Sequence, residues 1–165
     1  MEFGEVVWGI VMAEVAKGRY IGPFTQKELE DLIGPFQTSP LSVIPKLDRP
    51  DKHQLIQNLL YPYSLSTAFP NPAINSNIDS TKFPCTWGTF AAVSLVIQHL
   101  PPGSQAAVRD VAEAYCTIPL HSSHWPAVVV RTREEEFHIN TSLCFGAQPS
   151  SGRYGHLEDS AVELY

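Results

Sequence analysis

Proline restricts the folds open to this chain more than any other residue type. Fourteen of the 165 residues are proline, and many stand in short clusters between apolar runs. Because proline has no backbone N–H and interrupts both helices and central strands, short elements and many turns are expected. The length is sufficient for one domain with its own core, and we expect the range 1–165 to form a single unit.

Charge and cysteine content narrow the class of protein. The formal net charge of −6 argues against broad, nonspecific nucleic-acid binding, which needs a basic face, although a local basic patch remains compatible with it. Cys85, Cys116 and Cys144 form no CxxC pair, which indicates reduced thiols. The apolar run near the start is flanked by Glu2 and Glu5 and is too short to span a bilayer. We therefore expect a cytoplasmic or nuclear protein that is not secreted and has no membrane partner.

Apolar periodicity predicts several helices. One is expected over 5–17, where it is partly buried and ends at Gly18. A second is expected over 25–34, where Thr25 and Glu28 have the spacing of a capping box. Further helices are expected from about 86 to 99 and after Pro149, the former with its apolar stripe on Phe90, Val93, Ile97 and Leu100.

Strands and loops complete a mixed order of elements. Hairpins are predicted over 39–62 and 125–143, and a short strand over 104–111 carries Asp110 near its carboxyl end. Residues 62–85 are rich in Pro, Asn and Ser, and such a long connection is uncommon in a compact domain unless it is functional or disordered. This order indicates an α+β fold with a largely antiparallel sheet packed on helices.

Asp110 is the residue that raises the question of function. A carboxylate at a strand end can bind a hard cation such as Mg²⁺, or it can simply cap the turn that follows. The segment "AAVRDVAEAYCTIPLH" (106–121) resembles the first catalytic motif of reverse transcriptases, in which an aromatic residue follows the Asp by five positions. The segments 38–62, 74–104 and 142–156 are similar, in the same order, to the fingers hairpin, the connecting loop with its helix, and the second palm motif. The resemblance covers nearly all of 19–160 and is nearest to retroelements common in fungal genomes.

The resemblance implies a role for five residues. Asp110 and the backbone carbonyl of Val111 would bind magnesium, and Tyr115 would lie beneath the sugar of an incoming deoxynucleotide. Lys46 would approach the triphosphate, and Gly146 would let the backbone come close to template and nucleotide. The implied partners are an RNA or DNA primer–template and a deoxynucleotide.

Departures from the family pattern bear on activity. Gln54 stands where the family usually has a phosphate-binding arginine, and Asn58 stands where it has an aspartate. Two-metal phosphoryl transfer needs carboxylates that hold two cations about 3.5–4 Å apart. The family takes a further Asp pair from a hairpin after the second palm motif, and residues up to Tyr165 contain none. We therefore expect an incomplete palm that does not polymerise alone.

The expected organisation is N-terminal helices over 1–35, a fingers-like hairpin and loop over 36–85, and a partial palm over 86–165. A partner chain could complete that palm and supply the missing carboxylates. The alternatives are a non-catalytic module that binds nucleic acid or protein, and a fragment that does not fold stably because a sheet edge is unpaired.

Another cluster invites a metal interpretation. His121, His124, Cys116 and Cys144 could suggest zinc, but the spacing is loose and the cysteines stand alone. Surface histidines in a turn and buried thiols are the favoured interpretation.

Overall fold

The computed structural model describes residues 3–47, 49–84, 90–107 and 111–162, and the structural statements below concern those residues. The chain begins with helix α1 (Phe3–Ala16), which ends before Gly18 as predicted. Val7 and Val11 of α1 are buried, so the helix presents one apolar side to the rest of the protein. This agrees with the partly buried helix expected from the sequence.

A three-stranded antiparallel sheet forms the centre of the fold. It contains β1 (Tyr20–Phe24), β4 (Val129–Arg133) and β5 (Glu136–Asn140), in the order β1-β5-β4. In this register Ile139 of β5 lies opposite both Ile21 of β1 and Val129 of β4. The hairpin of β4 and β5 is the second hairpin predicted from the sequence, whereas β1 was not predicted.

Successive side chains along each strand point to opposite faces of the sheet. An apolar cluster covers each of the two faces. Val129 and Ile139 are fully buried in a cluster completed by Leu29, Leu59, Val128, Phe137 and Cys144. Val130, the next residue of β4, is fully buried in a second cluster with Val7 and Val11 of α1. Burying one such side chain contributes about 1.5–3 kcal/mol, so these two clusters supply much of the driving force for folding.

The predicted first hairpin is present as a separate two-stranded sheet. Its strands are β2 (Leu41–Lys46) and β3 (Arg49–Gln57), which pair with Val43 opposite Leu55. Val43 and Leu55 are partly buried against the Val7–Val11–Val130 cluster. The hairpin is thereby attached to the α1 side of the central sheet.

The remaining helices are α2 (Gln26–Ile33), α3 (Phe90–His99) and α4 (Ser150–Val162). The capping box predicted before α2 is formed, because Thr25 and Glu28 bind each other's backbone N–H. The connection that follows β3 contains short 3-10 turns at Ile74–Asn77 and Ser80–Lys82.

The α+β fold with antiparallel sheets is confirmed, but within 86–111 the helix is not buried and the described part of the predicted strand is absent. None of the residues of α3 is buried, so the predicted apolar stripe on this helix faces no core. Residues 104–107 are not in a strand, and Asp110, with 108 and 109, lies outside the described residues. In the described part of the chain, no helix is both long and apolar enough to cross a membrane.

Candidate functional site

Two loops that are distant in sequence meet beside the central sheet. The N–H of Leu120 donates to the carbonyl of Thr141 at 2.8 Å, and the N–H of Leu143 donates to the carbonyl of Ile118 at 2.9 Å. These bonds form a short antiparallel bridge. They place the 3-10 turn Ala114–Thr117 next to the loop that leads into α4.

Tyr115 is the side chain that connects the two loops. Its hydroxyl lies 2.9 Å from Oγ of Ser151 in the first turn of α4. Its ring centroid lies 5.5 Å from that of Phe145 and 5.8 Å from that of Tyr154. Phe145 is exposed, so the three rings form a partly open aromatic surface. Such a surface suits contact with a flat ring or a sugar.

Gly146 lies next to this aromatic surface in a loop with a defined shape. Its φ of +93° lies in the region that favours glycine. Its carbonyl accepts a 2.9 Å hydrogen bond from Nδ2 of the buried Asn75, whose Oδ1 accepts one from the N–H of Gln148 at 3.1 Å. Oγ of Ser150 donates to the carbonyl of Cys144 at 2.8 Å. The loop is therefore fixed at both ends, and its Phe145, next to Gly146 in sequence, contacts Tyr115.

The other predicted site residues are not part of this aromatic surface. Lys46 lies at the tip of the first hairpin, in register with Arg49, and its side chain makes no hydrogen bond or ion pair with the described residues. Val111 is exposed in the loop before Tyr115. Asp110, the predicted metal ligand, lies outside the described part of the chain.

Glu113 makes the strongest polar contacts near Tyr115. Its carboxylate accepts hydrogen bonds from Nζ of Lys17 at 2.8 Å and from a terminal nitrogen of Arg19 at 2.6 Å. Glu14 contacts the same two cations, at 2.9 and 3.2 Å. The hydrogen bond from Lys17 and then that from Arg19 lower the pKa of Glu113 to about 2. We call these four residues the Glu113 clasp, which fastens the turn of Tyr115 to the end of α1.

Backbone strain accompanies the clasp. Glu113 has a φ of 57° and a ψ of 36°, the left-handed conformation that few non-glycine residues adopt. This conformation costs on the order of 1 kcal/mol. The two ion pairs offset part of this cost and connect the turn of Tyr115 to the end of α1.

The described residues do not form a two-carboxylate magnesium site. Glu113, three positions after Asp110, has its carboxylate engaged by Lys17 and Arg19. Across the ranges that the structure describes, no three His, Cys, Asp or Glu side chains are grouped so that they could hold a metal ion.

The two departures from the family pattern have local structural explanations. Gln54 lies in β3 opposite Ile44 and is partly buried. Asn58 follows β3, where its Nδ2 donates to the hydroxyl of Tyr63 at 2.9 Å and its Oδ1 accepts from the N–H of Leu60 at 3.2 Å. Asn58 therefore stabilises the turn after the hairpin without any charge.

Cys116 and Cys144 are free thiols. Burial raises the pKa of Cys116 and raises that of Cys144 to about 12, so both are protonated at neutral pH. His121 and His124 are exposed, and the Nδ1 of His121 caps its own turn by accepting from the N–H of Ser123 at 3.2 Å. These contacts agree with the favoured interpretation, in which the histidines lie at the surface in a turn and the thiols are buried or partly buried.

The Glu113 clasp and the Asn75 contact were not predicted from the sequence. Lys17 and Arg19 are 96 and 94 positions from Glu113, and Asn75 is 71 positions from Gly146. The nearest signal is the "KGR" at 17–19, a basic pair just past a helix end.

No protein-family model matches this chain, and none of the curated proteins compared with it is significantly similar.

Proposed function

We propose that this chain is a retroelement-derived, reverse-transcriptase-like unit consisting of fingers and part of the palm. The observation that supports this best is the packing of Tyr115 against the loop of Phe145 and Gly146. In the family, the corresponding aromatic and Phe-Gly loop come from two separate motifs that both contact the incoming nucleotide. In this chain the two segments lie side by side although about 30 positions separate them.

The order of the elements also supports the proposal. A hairpin over 41–57 is followed by a long connection, an apolar helix, the turn of Tyr115, a second hairpin and a final helix. This is the order that the resemblance implies. The ancestral role of such a unit would be RNA-templated DNA synthesis on a primer–template.

We propose further that the polypeptide of 165 residues binds a deoxynucleotide but does not extend a primer. Tyr115 would contact the sugar, and the ammonium of Lys46 would attract the triphosphate. Gln54 cannot replace a cation there, and Glu113 is held by Lys17 and Arg19. If Mg²⁺ binds, the ligands that the resemblance implies are Asp110 and the backbone carbonyl of Val111.

A nucleotide titration tests this proposal. A fluorescent deoxynucleotide is added to the chain in the presence of Mg²⁺ and an RNA–DNA primer–template, and anisotropy is measured at several salt concentrations. We expect saturable binding that weakens with salt. Tyr115→Ala should weaken binding about tenfold, which corresponds to about 1.4 kcal/mol. Tyr115→Phe should bind nearly as well as the unchanged chain, because it keeps the ring and loses only the contact with Ser151.

Tyr63→Ala is the matched control, since Tyr63 is an exposed tyrosine outside the aromatic surface. It should leave binding unchanged. Equal losses for Tyr115→Ala and Tyr63→Ala, or no binding by the unchanged chain, would contradict the nucleotide role. Primer extension by the 165-residue chain would contradict the proposal that it does not polymerise.

A second candidate function is a protein-binding module without catalysis. Helix α3 favours it, because an apolar helix with no buried residue is unusual in a protein that acts alone.

A further inference from the structure

The long connection that follows β3 forms one wall of an apolar cleft. A connection of this length is uncommon in a compact domain unless it is functional or disordered. Its side chains Ile74, Ile78 and Phe83 line a space of about 650 Å³, together with Leu157 of α4. We call this space the α4 cleft. The connection thus has a structural place in a candidate binding site.

Contacts with the rest of the fold hold this wall in position. The N–H of Asn75 donates to the carbonyl of Leu59 at 3.0 Å, and its Nδ2 donates to the carbonyl of Gly146 at 2.9 Å. A Cβ placed on Gly152 of α4 would lie 2.9 Å from the carbonyl oxygen of Phe83, so the connection and α4 are in close contact. The cleft is therefore formed in the chain alone, as most small-molecule sites are.

The α4 cleft reaches from the core to the surface. Leu59, Val128 and Leu143 line it and are almost completely buried, whereas Leu157 lines it and is 55% exposed. Most of the other lining side chains are apolar as well. Small-molecule sites are clefts of about 300–1,000 Å³ with mostly apolar walls and a few polar groups. The cleft has the size and the lining for the apolar body of a small molecule.

Arg153 gives the α4 cleft its charge. Among the described residues that line the cleft, Arg153 alone carries a constant charge, and none is acidic. Its guanidinium lies 4.9 Å from the ring centroid of Phe83, which keeps the cation at the wall of the cleft. Arg19 and Arg133 form ion pairs with glutamates, whereas Arg153 forms none with the described residues. The donors of Arg153 are therefore available to an anionic ligand.

The form of this charge favours a carboxylate over a phosphate. A guanidinium is planar and matches the two oxygens of a carboxylate, and one guanidinium balances one negative charge. A phosphate monoester carries about 1.5 to 2 negative charges at pH 7. The ligand that suits the α4 cleft thus has an apolar body and a single carboxylate.

A second large cleft, of about 710 Å³, has a different pattern of charge. Arg131, Arg133 and Glu134 line it, so charges of both signs meet there. A terminal nitrogen of Arg133 lies 3.1 Å from a carboxylate oxygen of Glu5, so this guanidinium is already paired. An amphipathic anion is better matched by the α4 cleft.

We propose that the α4 cleft binds a small amphipathic carboxylate, such as a medium-chain fatty acid. Its apolar body packs against Leu143 and Leu157, and its carboxylate binds the guanidinium of Arg153. Arg153 and Leu157 are four positions apart on α4 and lie on the same side of that helix. The proposal concerns this cleft alone and does not depend on the nucleotide role of Tyr115.

Calorimetric titration with octanoate, decanoate and dodecanoate tests the proposal. We expect one saturable site per chain. The affinity should rise about fourfold for each CH₂ group that a longer ligand buries, until the cleft is filled. Decyltrimethylammonium has the same apolar chain and the opposite charge, and it should bind more weakly than decanoate.

Two variants separate the charge from the apolar wall. Arg153→Gln should weaken the binding of decanoate about fivefold and leave that of 1-decanol unchanged, because only the former has a charge to lose. Leu157→Asp should weaken the binding of both ligands about tenfold, because it removes part of the apolar wall. Both residues are exposed, so the monomer should stay folded, which far-UV circular dichroism verifies.

Arg131→Gln and Val96→Asp are the matched controls. Arg131 is an exposed arginine of the second cleft, and Val96 is 63% exposed on the apolar helix α3, to which an alkyl chain could adsorb. Both variants should bind decanoate as the unchanged chain does. The proposal is overturned if decanoate shows no saturable binding, or if either control weakens binding as much as Arg153→Gln or Leu157→Asp does.

Discussion

Gly22 in β1 occupies a position where no other residue fits. Its φ is +139°, a conformation that side chains with a Cβ rarely adopt. A Cβ placed there would lie 2.8 Å from the carbonyl oxygen of Phe137 and 2.8 Å from Cδ2 of His138. Both neighbours belong to β5, and His138 is fully buried. Neither the strand backbone nor the enclosed ring can move away easily.

Gly22→Ala should therefore destabilise the protein strongly. The unfavourable backbone conformation costs about 1–3 kcal/mol. Forcing an extra methyl group into a well-packed region costs about 1–3 kcal/mol more. Together these give a loss of about 2–6 kcal/mol in the free energy of unfolding, out of about 5–15 kcal/mol for a typical domain.

Urea unfolding followed by circular dichroism measures this loss. With an m-value of about 2 kcal/mol/M, the midpoint should fall by about 1–3 M. Gly155→Ala is the matched control, because Gly155 lies within α4 with nothing within 4 Å of the added Cβ. It should stabilise the protein by about 0.5–1 kcal/mol. If Gly22→Ala costs less than about 1 kcal/mol, the close approach of β1 and β5 is not as described.

Three further predictions concern pH, charge and capping. Burial lowers the pKa of His138 below its ordinary 6.5, so the unfolded chain binds its proton more readily. The stability that His138 contributes is present above pH 6.5 and is lost as the pH falls below it. His138→Gln should therefore make the urea midpoint depend less on pH in this range, and an unchanged dependence would contradict the role of His138. Glu113→Gln should lower the free energy of unfolding by less than about 1 kcal/mol, because the ion pairs are exposed, and the loss should shrink in high salt. Thr25→Ala should cost about 1 kcal/mol in urea unfolding, because the cap of α2 is lost; an unchanged midpoint would show that the cap contributes nothing.

Local patterns were sufficient to predict most of the elements. The apolar spacing of α1, the capping box of α2 and both hairpins depend on residues close together in sequence, and all of them are present. Strand β1 was missed because "YIGPF" contains Gly and Pro, which usually indicate a turn. Its register is irregular between Ile21 and Phe24, as expected for a strand that includes these residues.

The site was predicted less completely than the fold. Tyr115 and Gly146 were linked by the family resemblance, and the structure places their loops together. The contacts that fix those loops could not be predicted, because Lys17 meets Glu113 only after the whole domain has folded. The apolar pattern of α3 predicted a buried face, although in the structure that face meets no core.

The pairing of β1 with β5 has a consequence during synthesis of the chain. Tyr20 pairs with Asn140, about 120 positions later, so β1 has no strand partner until β5 has been made. At about 5–20 residues per second, this interval lasts roughly 6–24 s. Over that time the first hairpin can form, because its strands are adjacent, and its Val43 and Leu55 can pack on α1, while β1 still lacks a strand partner. Because β1 waits for its partner over this interval, we expect the rate of translation to influence the yield of folded protein.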